Sequence, residues 1–448
     1  MISTRPGRSA AQLITELQES RARLLELVAD LDDEQMIGPR LDIVNPLRWE
    51  VAHVAHFQEF WLLRHLRGCD PIRPASHLDP DKLYDSARVA HNTRWDLPLP
   101  SKRETIAYTQ RILDRVIEEV GNSSAVDTKG FDDRYFLQLS LLHEDMHSEA
   151  ITYTRQTLGV RSPAFRRNGS VIEIPAEAGT ANDYAFIPGG TFLLGSEHDA
   201  EFAFDNEQWA HDVTVAPFYI SRTAVTQAEF AEFVNDGGYA RREFWCDAGW
   251  QWRKSANARR PVYWEAIGDG NWRRRAFDRW LPLEPDLPVT HVNWFETDAY
   301  CCWSRRRLPT EAEWEMAASF EPAADDGGDA LRKRRYPWGD EAPTPERANL
   351  DWRAGGPISV QELSAGDNAF GVRQMIGNVW EWTSTDFHPY PGFEPGPYKE
   401  YSAPWFGDHK VLRGGCWATR SRLIRNTYRN FYRPDRRDVW AGFRTCAI

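Results

Sequence analysis

Arg307-Leu308-Pro309-Thr310-Glu311-Ala312-Glu313-Trp314-Glu315 contains a helix start that is legible from the residues alone. Thr310 followed three residues later by Glu313 forms a capping box, in which hydroxyl and carboxylate each satisfy a backbone N–H of the first turn. The helix it predicts, Thr310–Ala318, is short and stands in Gly-, Pro-, Asp- and Asn-rich surroundings. In the same half of the chain, Gln227–Val234 and Trp294–Arg305 show comparable helical spacing. The rest is short apolar runs broken by turn residues, such as Phe186-Ile187-Pro188-Gly189-Gly190, Val213-Thr214-Val215 and Val411-Leu412-Arg413-Gly414-Gly415. From Tyr184 onward this is the texture of an irregular α+β domain. Most of the chain's 20 tryptophans lie after residue 240, which suits a compact, loop-heavy interior. There is no internal repeat.

Upstream the pattern changes. Ala10–Leu31 carries Leu13, Leu17, Leu24, Leu25, Val28 and Leu31 at helical spacing. Asn45-Pro46 opens a second helix through Trp49, Val51, Val54, Phe57, Phe60 and Leu63 to Arg67. Lys102–Val120 and Asp132–Leu158 supply two more. Four helices with long connections predict an up-and-down bundle. The expected organisation is a bundle over residues 1–165, a linker over 166–183, and the α+β domain over 184–448; the stretch from Ser162-Pro163 to Asp183 holds glycines, prolines and short polar residues.

The bulk numbers exclude several classes. Lys plus Arg total 54 against 66 Asp plus Glu, a net charge of −12, which is the wrong sign for a protein that lives on nucleic acid. The basic runs Arg305-Arg306-Arg307 and Arg332-Lys333-Arg334-Arg335 read as solvated surface. Six cysteines (Cys69, Cys246, Cys301, Cys302, Cys416, Cys446) without CxxC spacing fit reduced thiols. Met1 to Gln18 is polar with no apolar core of a signal peptide, and no run of about 18 apolar residues occurs. A soluble cytoplasmic protein, with neither membrane nor nucleic acid as partner, is expected.

Leu142-His143-Glu144-Asp145-Met146-His147-Ser148-Glu149 places two histidines four apart inside a predicted helix, so both imidazoles share a face and can address one ion. A third ligand is available on another helix. His53 lies on its apolar face, where a buried imidazole needs a partner for each ring nitrogen, and His56 competes from three residues away. Glu144 and Glu149 fall on other faces, as supporting or surface residues. Three imidazoles with open positions suit zinc, and iron oxygenases more often use two histidines and a carboxylate. The residues alone predict a metal site and leave the metal open.

Several segments of the second half occur together in one known fold: Phe186–Gly195, Val289-Thr290-His291-Val292-Asn293-Trp294, Arg307–Glu315, Tyr336-Pro337-Trp338-Gly339-Asp340, Gly377-Asn378-Val379-Trp380-Glu381-Trp382, Leu412–Gly415 and Gly442-Phe443-Arg444. Together they resemble the formylglycine-generating enzymes, a C-type-lectin-like α+β fold. The N-terminal part resembles the DinB-like four-helix bundle. Fused in this order, the two resemble the sulfoxide synthases of ergothioneine biosynthesis over nearly the whole chain. That resemblance selects His53 over His56, through Asn45–His53, and aligns His143 and His147 with the family's remaining ligands. It implies Fe(II) and O2, and a bond formed between C2 of the imidazole of hercynine (trimethylhistidine) and the sulfur of a thiol. Formylglycine generation itself needs a cysteine pair shortly after the Arg413-Gly414-Gly415 motif, and Thr419 and Ile424 stand where those thiols belong.

By the same resemblance Asn430 contacts hercynine, and Phe431 and Tyr432 line its ammonium site, for which aromatic faces are suited. A tyrosine serves as proton donor, placed at Tyr398 with Tyr390 and Tyr401 as alternatives. Three departures matter. Met146 stands where glutamine is frequent beside the substrate, and Tyr432 stands where users of γ-glutamylcysteine carry an acidic residue. Of the paired arginines that clamp the donor's carboxylates, within the stretch Tyr84–Leu97, only Arg94 is kept, with His91 in place of the other. Loss of a guanidinium removes a bidentate clamp. Together with the ending Asp435–Cys446, this resembles the branch that includes selenoneine synthases, whose donor is an uncharged selenosugar. Cysteine or γ-glutamylcysteine as donor, a zinc thiol transferase, and a non-enzymatic metal- or sugar-binding module are the alternatives.

Overall fold

The structure is a computed structural model that describes residues 7–75, 77–122, 124–164, 183–320 and 333–448. The chain divides into two compact units, Met1–Arg166 and Arg167–Ile448. The expected linker over 166–183 lies outside the described residues except for Asp183.

In the first unit, α1 spans Ala10–Glu26 and starts at a Ser9–Gln12 capping box. It stops one turn short of the expected Leu31, but the turns that follow still bury Leu27, Val28 and Leu31. Helix α2, Leu47–Gln58, follows Pro46 and carries Glu50 in its first turn, where an acid favours the helix dipole. It continues as a π-helical segment, Glu59–His65. The apolar period marks this stretch as helical but does not separate i→i+4 from i→i+5 bonding over so few turns. A short α3, Pro80–Tyr84, precedes α4, Lys102–Asn122, and α5, Asp133–Leu158, which Asp132 caps and Gly159 ends in the left-handed region at φ 67°. Helix α1 packs on α5, and α2 on α4 and α5.

Arg21 ties these four helices together. From α1, its Nε donates to Glu144 at 2.7 Å, Nη1 to the Thr109 carbonyl at 2.7 Å, and Nη2 to Gln58 Oε1 at 2.9 Å. Glu144 is fully buried, not a surface residue, and burial pushes its carboxyl up in spite of Arg21. Glu149 is buried as well.

The second unit contains α6 (Gln227–Asn235), α7 (Asp247–Ser255), α8 (Trp294–Ser304) and α9 (Glu311–Ser319) among short strands. One four-stranded sheet has the order 184–187, 218–221, 446–447, 306–307, and a second has 430–432, 410–413, 380–386, 441–442. Two elements were not anticipated. Helix α7 begins at Cys246, whose Sγ accepts from the Gly249 N–H, an uncommon cap. The antiparallel meander 264–268, 271–276, 279–282 runs through Arg273-Arg274-Arg275, which hides any alternation of apolar and polar residues.

The motif residues build the frame. Glu381 accepts from Trp314 Nε1 and from both Nε and Nη2 of Arg444, all at 2.7 Å. Gly414 sits at φ 95°, and a Cβ there would meet the Met375 carbonyl oxygen at 2.5 Å. The basic runs are less solvated than expected: Arg307 pairs with Glu313, and Lys333 with the fully buried Glu315. All six cysteines are free. Among the described residues no helix is long and apolar enough to cross a membrane.

Candidate metal centre

Helix α2 presents His53 and α5 presents His143 and His147, and one ligand atom from each lies within 4.8 Å of the others. The ring centroids are 5.2 Å (His53–His143), 4.9 Å (His53–His147) and 4.4 Å (His143–His147) apart. His56, the competitor, is committed elsewhere. Its Nε2 meets Asp81 Oδ1 at 2.9 Å, and His56 with Arg64 holds that carboxyl far below its ordinary value.

The surroundings set the protonation of the rings. Burial, reinforced by the neighbouring His147, pushes His53 and His143 well below the usual imidazole range, so both are neutral and able to ligate. His53 Nδ1 donates to the Tyr84 carbonyl at 2.8 Å, which leaves its Nε2 lone pair available. His147 Nδ1 lies 2.6 Å from Glu50 Oε1, and its Nε2 lies 3.2 Å from His143 Nε2. Metal–nitrogen distances of about 2.0–2.1 Å place neighbouring ligand nitrogens about 3 Å apart, so this spacing accepts an ion between the rings. Burial alone would raise Glu50, but the His147 ring, the Asn45 amide and the Arg94 guanidinium outweigh it and hold the carboxyl low. Trp49 stacks on His53 (4.6 Å, 10°), and Phe57 on His143 (3.7 Å, 8°). A carboxylate behind a ligand imidazole is the usual support of a metal site.

Sequence reading missed Glu50, Asn45, Trp49 and Phe57 as supports. One signal was present: an acid one helical turn before a candidate ligand, on a helix otherwise buried almost all round. Of the expected substrate contacts in this unit, Met146 is half-buried on α5, between the two histidines. Arg94 is buried on the 3-10 turn His91–Asp96, where Nη1 donates to Asn45 and Nη2 to the Val89 carbonyl, and its face lies over Trp49. His91 Nε2 donates to the Val44 carbonyl at 2.8 Å.

In the second unit Asn430, Phe431 and Tyr432 form the strand at one end of their sheet. Asn430 Oδ1 accepts from the Phe431 N–H. Phe431 stacks on Phe387 (4.1 Å, 11°), and the Arg436 guanidinium lies 5.2 Å from the Tyr432 ring centre. Tyr398 is half-buried ahead of a short 3-10 turn, and Tyr401 bonds to the Tyr428 hydroxyl at 3.2 Å. Tyr390 is buried under Arg429, and burial pushes its hydroxyl well above the ordinary phenol value. Cys416, Thr419 and Ile424 are buried, with Thr419 Oγ1 accepting from the Cys416 N–H, so no thiol pair stands after the glycines.

Residues 16–151 match the DinB superfamily, and residues 172–447 match the Sulfatase-modifying factor enzyme 1-like domain. The chain is 39% identical over 443 residues to a hercynine oxygenase of Mycolicibacterium thermoresistibile, covering 97% of this chain and 94% of that protein. To the hercynine oxygenase of Mycolicibacterium smegmatis it is 37% identical, over 96% and 97%. A formylglycine-generating enzyme of Streptomyces coelicolor is 35% identical over 292 residues, 58% of this chain and 87% of that one. The two hercynine oxygenases align along nearly the full length of both chains, so this chain is an oxidoreductase that belongs to the hercynine oxygenase family.

Proposed function

We propose that His53, His143 and His147 hold one Fe(II), and that the enzyme uses O2 to join C2 of the hercynine imidazole to the selenium of a selenosugar, a step of selenoneine biosynthesis. The observation that carries the metal reading is the convergence of three imidazoles within 4.8 Å, two of them with Nδ1 engaged by acceptors. Kinship with oxygenases favours iron, because zinc has no redox chemistry. Bound there, the ion supplies the electron-transfer chemistry by which O2 is reduced. The balance closes without an outside reductant: an imidazole C–H, a donor Se–H (or S–H) and O2 give a C–Se(=O) (or C–S(=O)) product and one water.

The donor preference rests on Arg94 and His91. The Arg94 guanidinium donates to Asn45 and to the Val89 carbonyl, both within the bundle, as does His91 Nε2 to the Val44 carbonyl. A donor bearing two carboxylates calls for guanidinium forks, and an uncharged sugar does not. In the second unit, Asn430, Phe431 and Tyr432 are assigned to hercynine, and Tyr398 to proton donation ahead of Tyr390 and Tyr401. The six free thiols support a cytoplasmic setting. The names of the relatives favour a second reading, an ergothioneine-type sulfoxide synthase that takes cysteine or γ-glutamylcysteine.

Anaerobic reconstitution with Fe(II), followed by air, hercynine and each donor, with mass-spectrometric detection, separates the readings. A hercynine–selenium adduct is expected. An adduct with cysteine or γ-glutamylcysteine alone replaces the donor assignment with the second reading. Bound metal without O2 uptake returns the chain to a zinc transferase or a binding module.

A further inference from the structure

The connection from the strand 380–386 to the strand 410–413 crosses 387–409, where the regular structure is two 3-10 turns, Lys399–Tyr401 and Ala403–Trp405. Connections of this length in a compact domain usually carry function. With little backbone ladder of its own, such a stretch takes its shape from side chains. One buried carboxylate reaches it twice. Asp205 Oδ1 accepts from the Ser402 hydroxyl, and Oδ2 accepts from the Gly396 N–H at 3.3 Å. These donors flank Pro397-Tyr398-Lys399-Glu400-Tyr401, so a single side chain closes both ends of the stretch that carries Tyr398. Asp205 and Ser402 are both buried.

The anchor is itself held in the frame. Asp205 opens the 3-10 turn Asp205–Glu207, and its two following residues are tied to the chain beyond the glycine motif. Arg429 Nη1 donates to the Asn206 carbonyl at 2.7 Å, Thr427 Oγ1 donates to Glu207 at 2.8 Å, and Arg425 pairs with Glu207. Between anchor and loop, Tyr401 stacks on Phe204 (4.5 Å, 28°) and meets the Phe431 ring edge-on (5.8 Å, 73°). A carboxylate accepts on both oxygens and donates from neither, so it can serve a hydroxyl and an N–H at once. Burial pushes this carboxyl up, while the Ser402 hydroxyl and the Gly396 N–H pull it back and favour the charged form.

We infer that Asp205 is a positioning residue: it latches the turn that carries Tyr398 onto the frame of the second unit and, through Tyr401, sets that turn beside Phe431. Its consequence for catalysis rests on the assignment of Tyr398 to proton donation, whereas the latch itself does not.

The test uses the full chain, and amide hydrogen exchange of peptic fragments reads the latch without metal or substrate. Asp205→Ala is expected to speed exchange over 396–402 by about tenfold and to leave the strand 410–413 within about twofold. Asp205→Asn keeps one acceptor but turns an NH2 toward the second donor, so its exchange is expected to fall between the two. Ser402→Ala is expected to speed exchange by less than Asp205→Ala, and to add nothing when combined with it. Should Asp205→Ala fail to fold, Ser402→Ala and Asp205→Asn are each still expected to speed exchange over 396–402. In the Fe(II)-reconstituted enzyme, kcat is expected to fall by about tenfold or more in Asp205→Ala, with the KM for hercynine within about twofold. In a Tyr398→Phe background, Asp205→Ala is expected to have no further effect on kcat. Unchanged exchange over 396–402 in folded Asp205→Ala overturns the inference, as does a speed-up that spreads equally to 380–386 and 410–413. If Tyr398→Phe turns over as the unsubstituted enzyme does, the proton-donor assignment falls, and the exchange comparison still decides the latch.

Discussion

Both units bury arginines against glutamates, but to different ends. In the bundle, Arg21 joins helices whose shape is already set by a regular apolar period, and the candidate site lies on the same period, on faces of α2 and α5. In the second unit, Arg413, Arg429 and Arg444 with Glu311, Glu315 and Glu381 hold together strands of two to seven residues and the loops between them. There the ion pairs are the frame itself. Periodic structure makes a site readable from spacing, whereas a frame built of buried pairs is readable only as a set of motifs.

The largest expected effect lies in the bundle. His143→Ala removes one of the three proposed ligands, and His56 does not stand in for it because Asp81 holds it. Fe(II) binding is expected to vanish by chelator competition while the far-UV circular dichroism keeps its helical shape. Retained iron and turnover in that variant would sink the metal assignment and, with it, the claim that helical spacing revealed the site.

Next comes a matched pair of deletions. Arg21→Ala leaves the Glu144 carboxylate buried without its main partner, and Arg444→Ala does the same to Glu381. Each is expected to cost about 3–5 kcal/mol, the range for stranding one half of a buried pair. Amide hydrogen exchange locates the damage: faster exchange along α5 in the first variant, and along the 380–386 strand in the second. If Arg21→Ala loosens both regions equally, the contrast between the units is wrong.

The same contrast explains what the sequence did and did not reveal. The four long helices and the trio His53, His143 and His147 follow from period 3.6 and one resemblance, and the geometry gathers the three rings. The supports behind them were harder to find, because Asn45–Glu50 and Arg94–Asn45 join positions on separate elements with no shared period. In the second unit the capping box at Thr310–Glu313 and the motif segments announced the frame, but α7 and the Arg-rich meander carry neither apolar alternation nor an ordinary cap. Glu144 shows the limit of face counting: lying off the ligand face placed it in a buried pair with Arg21, not at the surface.

The smallest expected effect separates the two kinds of buried imidazole. His291 in the second unit is buried between Tyr263 and Trp440, and burial, aided by Arg275 and Arg274, pushes it down to about 3. Above about pH 6.5, the ordinary value, the ring is neutral in both folded and unfolded chains and adds no pH dependence. As pH falls from there toward about 3, the unfolded chain takes up a proton that the folded one refuses, so stability declines by about 1.4 kcal/mol per pH unit. His291→Gln is expected to lessen the slope between pH 6 and 4 in urea titrations by that share, whatever its own offset in stability, because the buried His53 and His143 act in the same direction. His291 is not among the three clustered histidines, so its share, the difference between the two chains, should be the same with and without Fe(II). If Fe(II) abolished that share, the acid sensitivity of His291 would be tied to the bundle's own imidazoles, and the two units would then share one vulnerability.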